Sequence, residues 1–465
     1  MTILKVKSKK NKFSSKLVSR LSLLDQSIFN SGPVQFYFPE AFKENVEKLK
    51  EKLTEFDFNT EIYFAHKSNK SKVFVNEALD SKINIDVASV NELYNALKIG
   101  YNGNQIECTG IKNEEFIKES IKNNCLIVID SISELNLIKK LKSNNEVRLL
   151  IRISNIFPEK GAYKRVSRFG ILKEDFINLI ENNELKNLKI EGLHIHYDEY
   201  VPENKSRMIS ELLSLYKILY KNNIFPSKIN IGGGYRYPIV DESEVDNIVD
   251  DIEKISFSNV AYAKTIMGFE IGRNGNLSKT QVRDKIYPQN SFKFLKDTID
   301  FNKENEKLIE DLNLKLLIEP GYALLDNCGV MVMRVIGAKK LDANKNGIIV
   351  DGNMYNLSSQ MKKWVTDPEL IKNKNNNLNE SFEGYILGNL CKEDDILIDR
   401  KIKFEKTPEI GDLIIFHNTA GYAGSFEDTN AILQPTVKNY VITNSMSDEL
   451  KLKSEEKYME DINDN

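Results

Sequence analysis

Residues 61–80, EIYFAHKSNKSKVFVNEALD, join a short run of β-branched and aromatic residues to a segment with regularly spaced apolar residues. The first six residues are typical of a buried strand, and SKVFVNEAL is typical of an amphipathic helix. Lys67 stands at the junction, directly after the strand. One such β/α unit predicts little alone, but a series of them decides the fold.

A series of such units follows, and candidate strands alternate with helical segments. The strands are predicted at 61–66, 83–87, 105–108, 126–129, 147–153, 190–196, 228–231 and 315–318. Strands that alternate with helices predict a parallel sheet, and eight of them predict a closed α/β fold, the (β/α)8 TIM barrel. After Glu319 the pattern changes to strands with short turns, which predicts a C-terminal β domain of the sandwich or barrel type. Its strands are predicted at 330–341, 346–352, 381–390, 395–398, 401–404, 412–418 and 437–443.

The chain therefore divides into four parts. We expect an N-terminal segment at 1–33 that packs on the β domain, the barrel at 34–325 and the β domain at 326–443. Residues 444–465 are polar, which predicts a frayed tail.

The composition excludes several classes of partner. The 465 residues carry a net charge of -3, which favours neither nucleic acid nor an anionic membrane surface. No apolar run is long enough for a membrane helix. The four cysteines lack CxxC spacing, which predicts reduced thiols and a cytoplasmic protein.

Polar and glycine residues stand at the ends of the predicted strands. In chain order they are Lys67, Asp86, Thr109 with Gly110, Asp130, Arg152, His196, Gly232–Gly234 and Glu319. Active sites of barrel enzymes lie at the C-terminal ends of the strands, where the βα loops converge. The set therefore predicts an active site.

Three of these positions carry a specific chemistry. Partial desolvation should lower the pKa of Lys67 and make its amine a nucleophile for aldehydes, although an ordinary surface lysine is the alternative. Gly232, Gly233 and Gly234 let backbone N–H groups approach a phosphate, although three glycines are more often a plain turn. A carboxylate such as Glu319 keeps a pyridine nitrogen protonated, or it caps the turn before Pro320.

Two further candidates have open interpretations. His194 and His196 project to one strand face, where one could stack on a flat cofactor. With Asp198 they could instead bind zinc as in amidohydrolases, although the chain has only 4 histidines. Cys391 is a candidate acid or base in the β domain, with an inert buried thiol as the alternative.

The ordered segments YFAHKSNK, IDVASVNEL, IECTGIKN, GLHIH, INIGGG, LIEPG, IVDGNM, ILGNLCKEDD and GDLIIFHNTAGY point to one family. From about residue 32 to 435 the chain resembles the fold-type III pyridoxal 5'-phosphate (PLP) decarboxylases. This family includes ornithine and diaminopimelate decarboxylases and is related to alanine racemase by its barrel. The resemblance implies a PLP-dependent amino-acid decarboxylase.

The resemblance also implies a role for each matching residue. Lys67 would bind the cofactor covalently, His196 would stack on its ring, and Glu319 would face its nitrogen. Gly232–Gly234 and Tyr422 would bind the phosphate, while Asp86, Glu92 and Arg152 would line or support the pocket. Cys391 would protonate the carbanion from a second subunit of a homodimer with shared active sites, and Asp351 and Lys392 would contact the substrate side chain. No metal is implied.

The chain departs from the family pattern at three places. The family's Gly–Ser phosphate pair is replaced within Tyr197–Tyr200, and the arginine of its EPGR motif is Tyr322. We expect Arg236 to supply the missing charge. An acidic residue follows the cysteine in diamine-producing members, but here it is Lys392, which predicts a substrate with an acidic or carboxylated side chain, such as a siderophore-type precursor.

Several alternatives remain at this point. Asp351 favours a diaminopimelate, ornithine or lysine type of substrate instead. The altered phosphate contacts favour a non-catalytic regulatory relative, whereas the retention of Lys67, His196, Glu319 and Cys391 opposes it. A racemase shares the fold, but Glu319 favours loss of CO2, since the racemases place an arginine at the ring nitrogen.

Overall fold

The fold is taken from a computed structural model of the chain. It describes residues 3–142, 146–156, 166–197, 201–258, 283, 286–288, 290–343, 345–357, 364–373, 380–398, 400–423, 425, 427–444 and 450–463. Within these ranges, no helix is both long and apolar enough to cross a membrane.

The strands fall into two groups, a parallel set and a mixed set that includes both ends of the chain. In chain order they are β1 Val34–Tyr37, β2 Thr60–Ala65, β3 Asn84–Val87, β4 Ile106–Cys108, β5 Leu126–Ile129, β6 Arg148–Ser154, β7 Ile171–Leu172, β8 Lys189–His194, β9 Lys228–Asn230, β10 Lys315–Ile318, β11 Gly329–Asp342, β12 Lys345–Val350, β13 Glu369–Ile371, β14 Phe382–Leu387, β15 Ile402–Phe404, β16 Leu413–His417, β17 Lys438–Thr443 and β18 Lys451–Ser454.

Helices connect most of the parallel strands. They are α1 Lys12–Val18, α2 Pro39–Leu53, α3 Lys72–Asp80, α4 Val90–Ile99, α5 Glu114–Lys122, α6 Ile132–Leu141, α7 Lys173–Glu181, α8 Pro202–Lys221, α9 Glu242–Ser258, α10 Ser291–Asp300, α11 Lys303–Asp311, α12 Met354–Leu357 and α13 Glu455–Asn463. Side chains of Ser71, Ser89, Asn113 and Ser131 cap α3 to α6, so a polar residue in each of these βα loops begins the next helix.

The parallel strands close into a barrel, as the sequence predicts. The hydrogen-bonded order runs β2, β3, β4, β5, β6, β8, β9, β10, and β10 pairs with β2 to complete the circle. All eight predicted strands overlap these barrel strands. The short β7 adds a parallel pairing outside β6.

The barrel interior changes from apolar to polar along each strand. Tyr63, Leu126, Val128, Leu150 and Leu317 form a buried apolar cluster inside it. Side chains alternate between the faces of a strand, so a residue two positions further points inward again. The next inward positions on β5, β6 and β10 are therefore Asp130, Arg152 and Glu319, which puts the polar groups at the C-terminal mouth.

The second domain is a nine-stranded mixed sheet with order β15-β14-β12-β11-β1-β17-β18, while β16 joins β11 to β13. The first part of the long β11 pairs with β1 and β16, and its second part pairs with β12. The register shifts between Val335 and Gly337. Strands β11, β12, β14, β15, β16 and β17 match predicted segments. The predicted strand at 395–398 is reduced to a bridge between Leu387 and Ile396.

The N-terminal boundary of the barrel differs from the predicted position at residue 34. Val34–Tyr37 is a strand of the β domain, antiparallel to β11 and parallel to β17, and the barrel follows it. The segment before it touches both domains. Leu4 and Val6 pack with Val240 and Val245 of the barrel, whereas Lys10 pairs with Glu369 of the β domain.

The C-terminal residues are ordered over 450–463, which corrects the expectation of a frayed tail. β18 pairs antiparallel with β17, and α13 follows it. Met459 packs with Val73 and Val441, so the few apolar residues of this polar segment all meet a partner. The Oε1 atom of Glu455 accepts hydrogen bonds from the Ser71 hydroxyl (2.7 Å) and the Lys72 amide (3.0 Å).

Glu455 therefore caps α3, the helix that follows the Lys67 loop. Replacing it with alanine removes both hydrogen bonds, and we expect Glu455→Ala to lower the free energy of unfolding by about 1 kcal/mol, the usual cost of losing a cap. Urea denaturation measures it. The adjacent and exposed Glu456 provides the control, since Glu456→Ala should leave stability unchanged. Equal effects of the two substitutions would contradict the capping role.

Candidate active site

Lys67 lies at the barrel mouth, in a turn that directly follows β2. Its Nζ atom is 3.5 Å from Oδ2 of Asp86 at the end of β3, and Asp86 is buried. The Thr109 hydroxyl, after β4, donates to the other oxygen of Asp86 at 2.5 Å. Three neighbouring strands thus supply a lysine, a carboxylate and a hydroxyl in contact.

The expected lowering of the Lys67 pKa is wrong. Burial does lower the pKa of this amine, but the carboxylates of Asp86 and Glu319 outweigh burial and raise it above its ordinary value. The sequence shows the buried strand end but not how many carboxylates face it. Burial conversely raises the pKa of Asp86 to about 7, against the opposing effect of Lys67.

Glu319 follows β10 and is buried at the centre of the mouth. Its Oε1 atom lies 2.8 Å from Nε2 of His194, which is also fully buried. Burial alone would raise the pKa of Glu319, but His194 holds it well below its usual range. Glu319 is therefore a carboxylate anion in a nearly solvent-free position.

His196 has one nitrogen between two groups. Its Nδ1 atom is 3.1 Å from the Gly233 amide and 3.3 Å from Oε2 of Glu319. The Gly233 N–H can only donate, which makes Nδ1 an acceptor and puts the ring proton of neutral His196 on Nε2. Burial lowers the pKa of His196 to about 4, in accord with a neutral ring. Oε2 of Glu319 is thereby free to accept a hydrogen bond from a ligand.

The glycine loop is held from below by two buried residues. The Gly232 N–H donates to Oδ1 of Asn230 at 2.7 Å. The Nδ2 atom of Asn230 in turn donates to both oxygens of Glu107, at 2.8 and 3.0 Å. Burial raises the pKa of Glu107 well above its usual range. Neither Asn230 nor Glu107 stands after a strand, so the search at strand ends missed both.

Arg152 and Glu92 support the site from its edge. Arg152 lies 3.6 Å from Asp130 and over the Phe169 ring at 4.7 Å. Its charge acts on both Glu319 and the histidines. Oε2 of Glu92 accepts from the Ala88 amide at 2.7 Å, so Glu92 fixes the turn between β3 and α4.

The β domain closes one side of the mouth with the loop at 418–423. The Tyr422 amide donates to the Ser68 carbonyl at 2.8 Å, and the Asn69 side chain donates to the Ala420 carbonyl at 2.7 Å. Tyr422 has φ +61°, in the left-handed region, so this turn is fixed by its contacts. The Lys67 turn and Tyr422 are therefore held together.

One departure from the family pattern, Tyr322, lies on the same side. The Tyr322 ring stacks on Tyr237 at 4.2 Å and leans on Tyr422 at 6.0 Å. The charge of Arg236 lowers the pKa of the Tyr322 phenol, although burial raises it more. Arg236 is thus near the position where the family has an arginine. The Asn155 amide donates to the hydroxyl of Tyr197 at 2.8 Å; residues 198–200 lie outside the described residues, and the zinc hypothesis at Asp198 with them.

Cys391 is exposed on the β domain. Lys392 beside it donates to the Tyr355 hydroxyl at 3.2 Å and pairs with Asp394 at 3.1 Å. The loops meet where Asn389 donates to the Asp351 carbonyl at 2.7 Å. Asp351, Tyr355, Cys391 and Lys392 are called the Cys391 surface below.

The barrel mouth fits the cofactor that the resemblance implies. The Lys67 amine suits an aldehyde, and the anionic Oε2 of Glu319 suits a protonated pyridine nitrogen. The glycines and Tyr422 suit a phosphate. Among the described residues no cluster of three or more His, Cys, Asp or Glu side chains is arranged to hold a metal ion.

Comparison with known proteins gives a family and a fold. The model of the pyridoxal-dependent decarboxylase family, pyridoxal binding domain, matches residues 41–273, which is half of the 465-residue chain. The uncharacterised protein y4yA of Sinorhizobium fredii is 26% identical over 86% of this chain and 85% of its own length. Diaminopimelate decarboxylase of Staphylococcus aureus is 22% identical over 87% of both.

Solved structures resemble the chain over nearly its full length. Arginine decarboxylase of Paramecium bursaria Chlorella virus has a TM-score of 0.68 at 17% identity and covers 92% of this chain and 99% of its own. Diaminopimelate decarboxylase of Helicobacter pylori, complexed with L-lysine, has a TM-score of 0.68 at 16% identity, with 94% and 95% covered. At these identities the likeness confirms the predicted fold class.

The proximity of Asp86 to Lys67 has a consequence for pH dependence. An amine attacks an aldehyde only when it is unprotonated, and the pKa of Lys67 is raised. The rate of covalent PLP attachment to the apoprotein should therefore rise by about tenfold per pH unit through the neutral range. Asp86→Asn removes the largest of the raising effects and should accelerate attachment at pH 7, as followed by absorbance and borohydride trapping.

Asp130→Asn is the matched control, because Asp130 contacts Arg152 and the Gly170 amide instead of Lys67. It should leave the pH profile unshifted. Attachment to Asp86→Asn that is no faster than to the wild type would show that Asp86 does not set the ionisation of Lys67.

Proposed function

The chain belongs to the family of pyridoxal-dependent decarboxylases, and on this premise we propose that it removes the α-carboxylate of an amino acid with an acidic or carboxylated side chain. The observation that carries the choice of substrate is Lys392, which lies beside Cys391 where an acidic residue would select a diamine. Membership of the family confirms the predicted cofactor, pyridoxal 5'-phosphate, and the enzyme class, a carboxy-lyase.

When bound, the cofactor supplies a protonated pyridine ring that accepts the electron pair left on the α-carbon when CO2 departs. Glu319 has the task of keeping that ring protonated, and its low pKa supports the assignment because it is already an anion. We place His196 against the ring face and Lys67 at the aldehyde. A carboxylate at the ring nitrogen favours decarboxylation over racemisation, so we prefer the first reaction.

The residue that returns a proton to the substrate is proposed to be Cys391 of a second subunit. Within one chain Cys391 is exposed on the β domain. A homodimer with shared active sites would bring the Cys391 surface of one subunit to the barrel mouth of the other. A thiol can donate a proton near neutral pH if neighbouring groups adjust its pKa.

The charge of the Cys391 surface supports an acidic substrate. Tyr355 and Asp394 raise the pKa of Lys392, so its amine is a cation. Its side chain is 43% exposed in the single chain, and an approaching subunit would reduce this exposure. A cation that loses water beside the substrate repels a second ammonium and attracts a carboxylate.

Asp351 is the observation that favours the diamino-acid alternative. Its Oδ1 accepts from the Arg334 amide at 2.8 Å, whereas its Oδ2 is buried and has no hydrogen-bond partner among the described residues. Burial raises the pKa of Asp351 to about 6, so it is mostly an anion at pH 7. A side chain with both a carboxylate and an N–H group, as in a siderophore-type precursor, would satisfy Lys392 and Asp351 together.

The proposal is tested with purified protein and PLP. We expect a visible absorbance band that Lys67→Ala abolishes, borohydride labelling of the Lys67 peptide, and CO2 release that is fastest with acidic or carboxylated amino acids. Fastest turnover of ornithine, lysine or diaminopimelate would refute the acidic substrate. Inverted α-carbon chirality without CO2 would identify a racemase, and PLP binding without either reaction would identify a regulatory relative.

Reversing the charge at residue 392 should change specificity. In Lys392→Glu we expect the ratio of kcat/KM for acidic over diamino substrates to fall by about tenfold or more, since a repulsive contact replaces an attractive one. The control is Lys403→Glu on β15, which changes the net charge of the same domain; in the described part of the chain Lys403 pairs only with the exposed Glu383. If both variants keep the wild-type ratio, Lys392 does not face the substrate.

A further inference from the structure

A second lysine reaches the site from beneath the glycine loop. Lys205 lies in the first turn of α8, and its side chain is only 1% exposed. Its Nζ atom donates to the Gly233 carbonyl oxygen at 2.6 Å. The ammonium also lies over the Tyr235 ring at 4.6 Å and near the Phe294 ring at 5.7 Å, which partly offsets the loss of water. Lys205 is not among the site residues predicted from the sequence.

The three glycine amides have different surroundings. The Gly232 N–H donates to Asn230, and the Gly233 N–H donates to His196. Within the described part of the chain, the Gly234 N–H has no acceptor. Gly234 has φ +92°, a conformation that a side chain would strain, so the loop is built to present this amide.

Lys205 acts on the same peptide group that carries the Gly234 amide. In a trans peptide the carbonyl of one residue and the N–H of the next point in opposite directions. Because Lys205 holds the Gly233 carbonyl, the Gly234 N–H points away from α8. A cation on the carbonyl oxygen also polarises the peptide and strengthens its N–H as a donor to an anion.

We propose that Lys205 is a positioning residue of the phosphate site, and that it orients and polarises the 233–234 peptide so that the Gly234 N–H binds the cofactor phosphate. It offsets part of the charge that Tyr322 cannot provide. The inference rests on the proposed cofactor site, but it is independent of which amino acid is decarboxylated.

The test compares PLP with pyridoxal, which has the same ring and aldehyde but no phosphate. In Lys205→Met we expect PLP to bind about ten- to a hundredfold more weakly, the usual range for a lost charged hydrogen bond. Pyridoxal affinity should change by less than about threefold on the same scale. Lys205→Arg should restore most of the PLP affinity, because it retains the charge. Equilibrium dialysis gives the dissociation constants.

Lys112→Met is the matched control. Lys112 is also buried and donates to backbone carbonyls, those of Gly110 (2.6 Å) and Val128 (2.7 Å), but it lies by β4 and β5. Its loss should lower thermal stability and leave the ratio of PLP to pyridoxal affinity at the wild-type value. If Lys205→Met weakens both ligands equally, or weakens neither, the proposal is wrong.

If the methionine variant does not fold, Lys205→Gln is measured in the same way. Hydrogen exchange on the wild-type protein gives a second test that needs no variant. Saturating inorganic phosphate should slow exchange of the Gly234 amide, and unchanged exchange would overturn the proposal. A wild-type protein that binds neither PLP nor pyridoxal would instead disprove the cofactor site itself.

Discussion

The site depends on keeping an ionised carboxylate inside the barrel. Glu319 is almost fully buried, and a buried carboxylate normally takes up a proton unless hydrogen bonds or charges stabilise the anion. The hydrogen bond from Nε2 of His194 provides that stabilisation, and Arg152 adds a nearby positive charge. His194 occupies one oxygen of Glu319, and the Gly233 amide keeps Nδ1 of His196 from donating to the other. The ionised state of Glu319 therefore depends on the hydrogen bond from His194, and the Gly233 amide leaves the other carboxylate oxygen open.

The same arrangement links the ring site to the phosphate site. Gly233 donates to His196 through its N–H and accepts from Lys205 through its carbonyl. A shift of this one residue would move both the imidazole proposed to stack on the ring and the amide proposed to face the phosphate. Asn230 and Glu107 fix the preceding glycine from inside the barrel. One short loop, in which nearly all backbone groups are already hydrogen-bonded, would thus position both ends of a flat ligand.

Local pattern was enough to predict the barrel and most of the mouth, because strand ends and the spacing of two between inward residues are properties of short segments. It placed Lys67, Asp86, Arg152, His196, the glycines and Glu319 at one end of the barrel, where the structure has them. It failed where partners are distant in sequence. Val34–Tyr37 belongs to the β domain because it pairs with β11 and β17, and 450–463 is ordered because Met459 meets Val73. The predicted direction of the Lys67 pKa shift is wrong for the same reason, because the carboxylates that raise this pKa lie on other strands.

Lys205 illustrates the limit of motif comparison most clearly. A phosphate requires hydrogen-bond donors and a positive potential, but neither has to come from a fixed position in the chain. Where the family places an arginine after its Glu–Pro–Gly, this chain has Tyr322, which packs on Tyr237. Arg236 approaches from the loop that follows the glycines, and Lys205 approaches from α8 behind them. A comparison at the usual position of the arginine shows only that the charge is missing. The geometry shows positive charges that approach the site from two other segments of the chain.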